Sequence, residues 1–373
     1  MRAAWAETDL GAIRKNIKYL MSKIKPETLF MGVVKADGYG HGAVQVAKVL
    51  IEEGTSHFGV AIVEEGVELR NADITEPILI LGRTFDEDYP MLIQHRLMPT
   101  VFTMDQAEAM NTFAEKNNAI ITIHIKIDTG MGRLGFLLED GLLEKIEKIV
   151  NMKHLHVEGI FSHLGTAPQI STPEYCFEQF KRFTTLLQQL EIQGINIPIR
   201  HLSNSAATIL YPEMQFDMVR PGTSIYGLYA GPELESLNEK LSPGMMVKSK
   251  LAHIKPCPIG TRVSYDSSFI ASRPSVLGVV PMGYVDGVFR NLANRGEVLV
   301  HGKRCPMVGN VCMDQFVIDL TEIDDPMVGD EVVLIGKQGE ASISAEEAGR
   351  KAGTISIEVL CGLGKRMPQV FKD

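Results

Sequence analysis

The sequence lacks the long apolar runs that a membrane span requires. No stretch of its 373 residues approaches the roughly 18 consecutive apolar residues of a spanning helix. The first residues, MRAAWAETDLGAIRKNI, carry acidic side chains where a signal peptide has its apolar region. We therefore expect a cytoplasmic protein that has no membrane partner.

Positive charge is scarce as well. The chain has 37 Lys and Arg against 46 Asp and Glu, a net charge of −9, and the charges are interspersed rather than blocked. No basic stripe is present that could neutralise a phosphate backbone. We expect no nucleic-acid partner.

Cysteine pairs and a P-loop are also missing. The five cysteines are widely spaced and form no C-x-x-C pair, which argues against a disulfide framework and a zinc knuckle and predicts small buried side chains. They are Cys176, Cys257, Cys305, Cys312 and Cys361. No P-loop occurs, which argues against chemistry driven by nucleotide hydrolysis.

What the sequence does contain is a regular alternation of strand-like and helix-like segments. Eight short β-branched runs, from LFMGVVKADGYG to FDMVRPGTSIYG, are separated by segments of helical period. Those segments predict helices such as Ala43 to Glu53, Met104 to Lys116, Glu139 to Val150 and Pro173 to Gln193. Strict alternation implies parallel strands, and eight of them predict an α/β fold with an N-terminal (β/α)8 TIM barrel.

The pattern changes after Gly244 to close-set strands punctuated by Gly and Pro. Runs such as SVLGVVPMGYVDG and DEVVLIGKQG predict a C-terminal mainly-β domain with one late helix at Ala345 to Ala352. The linker Gly231 to Gly244 is the best boundary. We expect a barrel domain over residues 1–236 and a β domain over residues 237–373.

The carboxyl ends of the barrel strands are where an active site is expected. Lys35 follows the first run, where partial desolvation would lower the pKa of its amine and let it form a Schiff base. A surface lysine with a buried stem is the alternative. Tyr39 and the glycines around it fit a loop that lets the backbone approach a ligand.

The seventh and eighth runs end in a pattern typical of a phosphate site. Arg220 stands beside Gly222 and Thr223, and the seventh run ends in Asn204 and Ser205. Loops after these two strands commonly bind phosphate in this fold, although helix capping would also explain them. The pair of loops predicts a phosphate-bearing ligand.

The fifth run ends in Asp128-Thr129-Gly130, the loop of aspartic proteases, but no second copy supplies the partner carboxylate. Arg133 in the same loop suits a carboxylate or phenolate partner, or a surface ion pair. His163 and His201 lack a third ligand at i+3 or i+4, so they are predicted to orient other groups and no metal is expected.

Lysine, phosphate loops and arginine together resemble an enzyme that uses pyridoxal 5'-phosphate (PLP). The chain resembles the alanine racemase family over nearly its whole length. The motifs that carry the resemblance are WAETDLGAIRKNI, VVKADGYGHGA, KIDTGMGRLGF, HLSNSAA, MVRPGTSIYGL, RVSYDSSF, GYVDGVFR and GNVCMDQF.

The resemblance implies a set of cofactor-binding residues. They are Lys35, Tyr39, His163, His201, Asn204, Ser205, Arg220, Gly222 and Thr223. By this resemblance Lys35 carries PLP as a Schiff base, Arg220 faces the pyridine nitrogen and His201 orients Arg220. His163 lies against the ring, and the phosphate is held by the loops after the last two strands together with Tyr39.

The resemblance also implies two bases, because inverting a carbon centre needs an acid/base on each face. Lys35 would serve one face, and Tyr265, from the other subunit of a head-to-tail homodimer, would serve the other. Arg133 would contact the Tyr265 hydroxyl and, with Met313, the substrate carboxylate. Three further matches are Tyr284 and Arg290 in the entry corridor and Lys126, a lysine that the family often carries as a carbamate.

The expected function is therefore an isomerase that interconverts L-alanine and D-alanine and supplies D-alanine for peptidoglycan. Three positions depart from the usual pattern: Asp266 replaces a common glycine, Lys365 a tyrosine and Thr223 an isoleucine. Because Asp266 could bind a distal ammonium, a racemase for serine, lysine or ornithine is the alternative. A decarboxylase would need a cysteine-centred motif that is absent near the C-terminus, and PLP-carrier proteins usually lack the β domain.

Overall fold

The computed structural model describes residues 2–237, 240–364 and 366–373. Lys365, one of the three departures from the family pattern, lies outside the described residues. The fold divides into two compact units. We call Arg14–Gly38 with Ala43–Leu241 the barrel unit, and Met1–Ile13, Tyr39–Gly42 and Ser242–Asp373 the β unit.

The barrel unit contains eight parallel strands, each hydrogen-bonded to the next, and the eighth pairs with the first to close the ring. The first to eighth strands are Leu29–Val33, His57–Val60, Ile78–Ile80, Leu97–Val101, Ile121–Asp128, Leu155–Phe161, Ile199–His201 and Met218–Val219. A short strand, Phe136–Leu137, also pairs with the fifth. The predicted TIM barrel is confirmed.

The barrel strands are almost wholly buried because side chains fill the space that they enclose. Met31, Leu79, Met98, Phe161 and Met218, which come from five different strands, form one buried cluster. Apolar side chains thus fill this part of the barrel interior.

The helices follow the predicted alternation. In chain order the right-handed helices are Leu10–Met21, Ala43–Glu52, Val63–Asn71, Tyr89–His95, Met104–Lys116, Leu142–Val150, Glu174–Ile192, Ser205–Leu210, Pro232–Ser236, Ala345–Ala352 and Ser356–Cys361. Short 3-10 turns lie at Asp86–Asp88, Pro212–Met214, Thr223–Tyr226, Tyr265–Ser267, Tyr284–Asp286 and Arg290–Leu292. Among the described residues, no helix combines the length and apolarity needed to cross a bilayer.

Local caps explain which helix bounds could be predicted. Met104–Lys116 has its predicted limits because the Thr103 side chain accepts a hydrogen bond from the Gln106 backbone at 3.2 Å. The helix expected from Glu139 begins only at Leu142, since Gly141 before it has φ +82°. A left-handed residue cannot continue a right-handed helix.

The β unit is built on one long sheet. From edge to edge its strands are His253–Cys257, Ser275–Val280, Phe316–Asp319, Lys303–Val308, Glu297–Val300, Glu331–Gln338, Met245–Lys250, Ala4–Asp9 and Gln369–Lys372. Ala341–Ile343 adds to Glu331–Gln338, and Arg262–Val263 forms a separate hairpin with Phe269–Ile270. The mainly-β character of the C-terminal part is confirmed.

The N-terminal strand of this sheet was not foreseen. Ala4–Asp9 pairs antiparallel with Met245–Lys250 and parallel with Gln369–Lys372. The β unit therefore includes residues from both ends of the chain. The division at residues 236 and 237 stays a prediction.

The expectation of a single late helix was wrong, because Ser356–Cys361 follows Ala345–Ala352. The first of the two has its predicted bounds: the Ser344 hydroxyl accepts from the Glu347 backbone at 3.1 Å, and Gly353 ends the helix at φ +78°.

All five cysteines are in the reduced form and belong to no disulfide. Cys176, Cys257 and Cys305 are buried as predicted. The prediction was wrong for Cys361, which is exposed, and for Cys312, which is partly exposed.

Candidate active site

The segment after the first barrel strand is a left-handed turn, where the sequence suggested a simple loop. Lys35–Gly40 is helical, and five successive residues have positive φ: Ala36 52°, Asp37 51°, Gly38 59°, Tyr39 54° and Gly40 80°. For residues other than glycine this conformation costs about 1–2 kcal/mol each. The candidate catalytic lysine therefore begins a strained backbone segment, which is a common feature of functional sites.

Glu65 holds the start of this turn. One carboxylate oxygen accepts from the Ala36 backbone at 2.7 Å, and the other accepts from the Ala61 backbone at 2.7 Å. Asp37 makes a second attachment by accepting from the Ala43 backbone at 2.8 Å. These carboxylates offset part of the strain by satisfying amides that would otherwise need water.

Positive charge concentrates at the mouth of the barrel. Burial lowers the pKa of His163 well below its usual value, and four cations lower it further. In order of effect these are Arg220, Arg133, Lys126 and Lys35. We call His163 and these four residues the barrel-mouth cluster. Its histidine is neutral, and its net charge suits an anionic ligand.

The pKa of Lys126 is strongly perturbed by its surroundings. It lies on the fifth strand, is 5% exposed, and its ammonium nitrogen is 5.2 Å from the centre of the Phe161 ring. Burial, and then the charges of Arg133, Arg220 and Lys35, lower its pKa to about 7. A large fraction of this amine is therefore uncharged at neutral pH.

Arg133 is positioned through its backbone by Asp128. The carboxylate accepts from the backbone of Gly130 at 2.9 Å, Gly132 at 3.1 Å and Arg133 at 3.0 Å. Burial alone would raise the pKa of Asp128, but these hydrogen bonds lower it below its usual value. The Arg133 side chain is exposed and available to a ligand.

Arg220 directly follows the eighth strand and is 5% exposed. Its guanidinium donates to Nδ1 of His201 at 3.0 Å and to the carbonyl oxygens of Ser162 and Leu202 at 2.7 and 3.1 Å. Burial lowers its pKa to about 9, so it stays protonated at neutral pH. The hydrogen bond between His201 and Arg220 is present as the sequence suggested.

Ser205 ties together the loops after the seventh and eighth strands. Its hydroxyl oxygen accepts from the backbone of Gly222 at 2.9 Å and of Ser224 at 3.3 Å. Asn204 caps the helix that Ser205 begins, accepting from the Ala207 backbone at 3.1 Å. The buried Ser224 hydroxyl has no hydrogen-bond partner among the described residues.

The remaining predicted residues belong to the β unit and are exposed there. Tyr265 is 69% exposed, Met313 52% and Tyr284 43%. The loops that carry the last two are joined, because the Tyr284 backbone donates to the Cys312 carbonyl at 3.0 Å and the Val285 backbone to the Met313 carbonyl at 3.2 Å. Arg290 is exposed at the start of a separate turn.

The turn around Tyr265 is strained. Ser264, Asp266 and Ser267 have φ of 65°, 59° and 50°, in the left-handed region that favours glycine. The glycine that the family resemblance implies at the position of Asp266 would adopt this conformation without strain. Asn310 supports the turn by donating to the Tyr265 carbonyl at 2.9 Å.

Sequence reasoning missed four residues that shape these sites: Glu65, His124, Glu158 and Asn310. His124 and Glu158 carry a signal that could have identified them, because each is a titratable side chain within a barrel strand, in ITIHIKID and LHVEGIF. Polar groups in a buried strand need partners. Glu65 and Asn310 have no such local signal.

Two family models match the chain. Residues 8–230 match the alanine racemase N-terminal domain, and residues 244–371 match the alanine racemase C-terminal domain. Between them they span all but the ends of the chain and a short connecting segment.

Relatives that align over the full length of the chain are also named alanine racemase. The chain is 43% identical to an alanine racemase of Methanococcus maripaludis over 98% of both chains. It is 42% identical to an alanine racemase of Halothermothrix orenii, over 100% of this chain and 97% of the relative.

Solved structures of alanine racemases also superpose on the chain. Alanine racemase of Bacillus anthracis with bound L-Ala-P superposes with a TM-score of 0.95 at 34% identity, over 100% of this chain and 96% of that one. The enzyme of Bartonella henselae with covalently bound pyridoxal phosphate gives 0.89 at 29% identity over 100% of both chains. Matched along both of its parts, the chain belongs to the alanine racemase family.

Proposed function

We propose that the barrel mouth binds PLP and that the chain interconverts L-alanine and D-alanine there, with Lys35 and Tyr265 as its two bases. The barrel-mouth cluster is the observation that carries the proposal. A neutral His163 is surrounded by Arg220, Arg133 and Lys35 and by the partly charged Lys126. This surplus of positive charge suits a phosphate, a phenolate and a substrate carboxylate, all of them anionic. The matched relatives are alanine racemases, and isomerisation is the activity of the family.

The loops after the seventh and eighth strands fit the phosphate of PLP. The Ser205 hydroxyl is within 2.9 Å of the Gly222 backbone, and the Ser224 hydroxyl is buried without a partner among the described residues. A buried hydroxyl without a partner is costly unless a ligand satisfies it. We assign the phosphate to Ser205, Gly222 and Thr223, with Asn204 and Tyr39 as further contacts.

Arg220 fits the pyridine nitrogen of PLP. Its three hydrogen bonds to His201, Ser162 and Leu202 hold the guanidinium in one orientation. Arg220 can donate a hydrogen bond to the nitrogen, but it does not transfer its proton at neutral pH. A partner of this kind would leave the pyridine nitrogen of bound PLP unprotonated. We assign His163 to the face of the ring.

PLP supplies electron withdrawal that makes the Cα proton of a bound amino acid removable. The Lys35 amine then holds the proton on one face of Cα, and the Tyr265 phenol holds it on the other. Two bases are needed because one base returns the proton to the face from which it came. A guanidinium favours the ionised form of a neighbouring phenol, which is the role that we assign to Arg133.

The substrate carboxylate is assigned to Arg133 and to Met313, and the entry corridor to Tyr284 and Arg290. A negatively charged group beside Arg133 would fix the position of its guanidinium through an ion pair. Lys126 can provide that group as a carbamate, because its amine has a pKa of about 7 and only the neutral amine reacts with carbon dioxide. The surrounding cations would stabilise the product.

A head-to-tail homodimer is part of the proposal. Tyr265, Met313 and Tyr284 are large side chains that the β unit leaves 43–69% exposed, and such groups are typical of interaction surfaces. We propose that Tyr265 serves the barrel of the partner subunit. A single subunit would then lack its second base.

The first test of function is made on purified protein mixed with PLP. We expect a visible absorbance band that Lys35→Ala loses and that Lys25→Ala, at an exposed lysine, retains. Incubation in deuterium oxide should place deuterium at Cα of both alanine enantiomers. A protein that binds PLP without this exchange would contradict the racemase proposal.

The substrate and the dimer are tested separately. L-alanine should exceed L-serine, L-lysine and L-ornithine in kcat/KM by at least tenfold, about 1.4 kcal/mol; the reverse order would favour the alternative substrates through Asp266. Mixing Lys35→Ala with Tyr265→Ala should restore partial activity once subunits exchange. Exchange without recovery would contradict the shared site.

A further inference from the structure

Four side chains inside the barrel are hydrogen-bonded in series. Arg220 donates to Nδ1 of His201 at 3.0 Å, Nε2 of His201 lies 2.8 Å from Nδ1 of His124, and Nε2 of His124 lies 3.1 Å from a carboxylate oxygen of Glu158. We call these four residues the relay. The sequence suggested only its first link.

The barrel wall is adapted to the middle of the relay. His124 and His201 lie on the fifth and seventh strands, and Gly159 is on the sixth strand between them. A Cβ at Gly159 would be 2.4 Å from Nδ1 of His124. A side chain at this position would therefore displace the imidazole from His201.

The far end of the relay depends on an irregular register. Ile123 pairs with Val157, but His124 pairs with Gly159, so Glu158 is an extra residue of the sixth strand. A bulge of this kind redirects a side chain. Here the redirected carboxylate accepts from His124 and stays 27% exposed at a cleft by the amino ends of the third to fifth strands.

Ring packing fixes both histidines. His201 stacks on Phe161 with centroids 4.6 Å apart and planes 16° apart. His124 meets His201 edge to face, with centroids 5.0 Å apart and planes at 78°. Neither ring can rotate freely, so each nitrogen has a fixed partner.

Only one arrangement of protons satisfies the series. Arginine can only donate, so Nδ1 of His201 must accept and its proton must be on Nε2. That proton is donated to Nδ1 of His124, which places the His124 proton on Nε2, facing Glu158. An ionised carboxylate can only accept, and both ends therefore impose the same direction.

The ionisation of the relay members agrees with this arrangement. Burial, followed by the charge of Arg220, lowers the pKa of His201 well below its usual value. Burial also lowers the pKa of His124, while the hydrogen bond from His124 lowers that of Glu158. At neutral pH the relay thus has two neutral imidazoles between one cation and one anion.

We propose that His124 and Glu158 are positioning residues that fix the His201 proton on Nε2 and thereby keep Nδ1 as the acceptor that orients Arg220. The proposal rests on the proposed function, in which Arg220 contacts the cofactor. Glu158 acts at the opposite end of the barrel from the cofactor and touches neither the cofactor nor the substrate. Its effect is transmitted only through the proton positions of two histidines.

The direct test measures the imidazole tautomers of PLP-loaded protein labelled with [15N]histidine, using long-range 1H–15N correlation NMR. Signals are assigned with His124→Gln and His201→Gln. Both rings should carry a single proton on Nε2 at neutral pH. A proton on Nδ1 of either ring, or two protons on one ring, would overturn the proposal whether or not the protein racemises alanine.

Variants at Glu158 test the function of the relay. Glu158→Gln keeps an acceptor and should retain both tautomers, with kcat within about threefold of the parent. Glu158→Lys places a donor at the same end, so a proton should move to Nδ1 of His124 and kcat should fall at least tenfold with KM little changed. Equal kcat and KM in the two variants would contradict the proposal.

Asp73→Lys is the matched control, because Asp73 lines the same cleft as Glu158 and is not a member of the relay. It makes the same charge reversal and should leave the tautomers and kcat unchanged. If kcat also falls in this control, the fall in Glu158→Lys is caused by charge in the cleft and the proposal is contradicted. Gly159→Ala should shift the NMR signals of His124 and His201, because the added Cβ displaces the His124 ring. Unchanged signals in this variant would contradict the proposed relay.

Discussion

Asn310 donates its side-chain amide to the carbonyl oxygen of Tyr265 at 2.9 Å and to the Asp266 carboxylate at 3.3 Å. Ser264 completes the contact by donating its hydroxyl to the Asn310 carbonyl at 2.7 Å. The proposed second base therefore lies on a turn of unfavourable backbone conformation that one amide supports from the adjacent loop.

Asn310→Ala should lower kcat about tenfold, because the loss of these hydrogen bonds allows the Tyr265 turn to relax. Asn310→Asp has nearly the same size but cannot donate, so it should be impaired at least as much. Steady-state racemisation in both directions measures the effect. An alanine variant with the kcat of the parent would show that the turn holds without Asn310.

Ser205→Ala should weaken PLP binding at least tenfold. The change removes the hydroxyl that we assign to the phosphate and releases the Gly222 loop that this hydroxyl holds at 2.9 Å, and a lost hydrogen bond to a charged group costs about 1.5–3 kcal/mol. A PLP titration followed by absorbance measures the dissociation constant. Ser203→Ala is the control, since the Ser203 hydroxyl donates to the Met214 carbonyl instead; equal affinities in the two variants would contradict the assigned phosphate contact.

Lys126 should form a carbamate. In [13C]bicarbonate, the carbonyl signal of a carbamate should appear by 13C NMR, strengthen as pH rises through about 7, and disappear in Lys126→Met. Lys248→Met should retain the signal. Burial lowers the pKa of Lys248, but hydrogen bonds to Glu7 and Glu331 raise it above its usual value, so that amine stays protonated and unreactive.

The same lysine predicts a pH dependence of stability when bicarbonate is absent. Between pH 7 and 10.5 the unfolded chain holds a proton on Lys126 that the folded chain lacks. The free energy of unfolding should therefore rise with pH in this window, by up to about 1.4 kcal/mol per pH unit from this group. Lys126→Met should flatten the slope, and an unchanged slope would show that the amine is protonated in the folded protein.

Glu65→Gln should destabilise the left-handed turn that begins at Lys35. The amide keeps one acceptor oxygen but presents an N–H group to the other backbone donor, so one of the hydrogen bonds from Ala36 and Ala61 is lost. We expect a loss of about 1–3 kcal/mol in thermal unfolding and less PLP bound at a fixed concentration. Glu64→Gln, at the exposed neighbouring residue, should change neither.

The alternation of strands and helices could be predicted because each barrel strand is a short apolar run that ends in polar residues. Helix bounds were accurate where a cap is local, as at Thr103 and Ser344. The strand Ala4–Asp9 was missed because its sequence, AWAETD, shows no regular alternation and its partners are distant in the chain.

The site was predictable in part for the same reason. Lys35, Arg220 and Ser205 stand at strand ends, where the fold places its chemistry. The bulge at Glu158 depends on the register between two strands, and the positive φ of Asp266 depends on a turn held by a residue 44 positions away. Neither is encoded in a short stretch of sequence.

The pairing of Ala4–Asp9 has a consequence for synthesis on the ribosome. Its partners, Met245–Lys250 and Gln369–Lys372, emerge more than two hundred residues later. At about 5–20 residues per second, this segment waits roughly 10–50 s for the first of them. The barrel strands, in contrast, are complete by Val219, so the nascent chain can close its barrel while the first strand to be made is still unpaired.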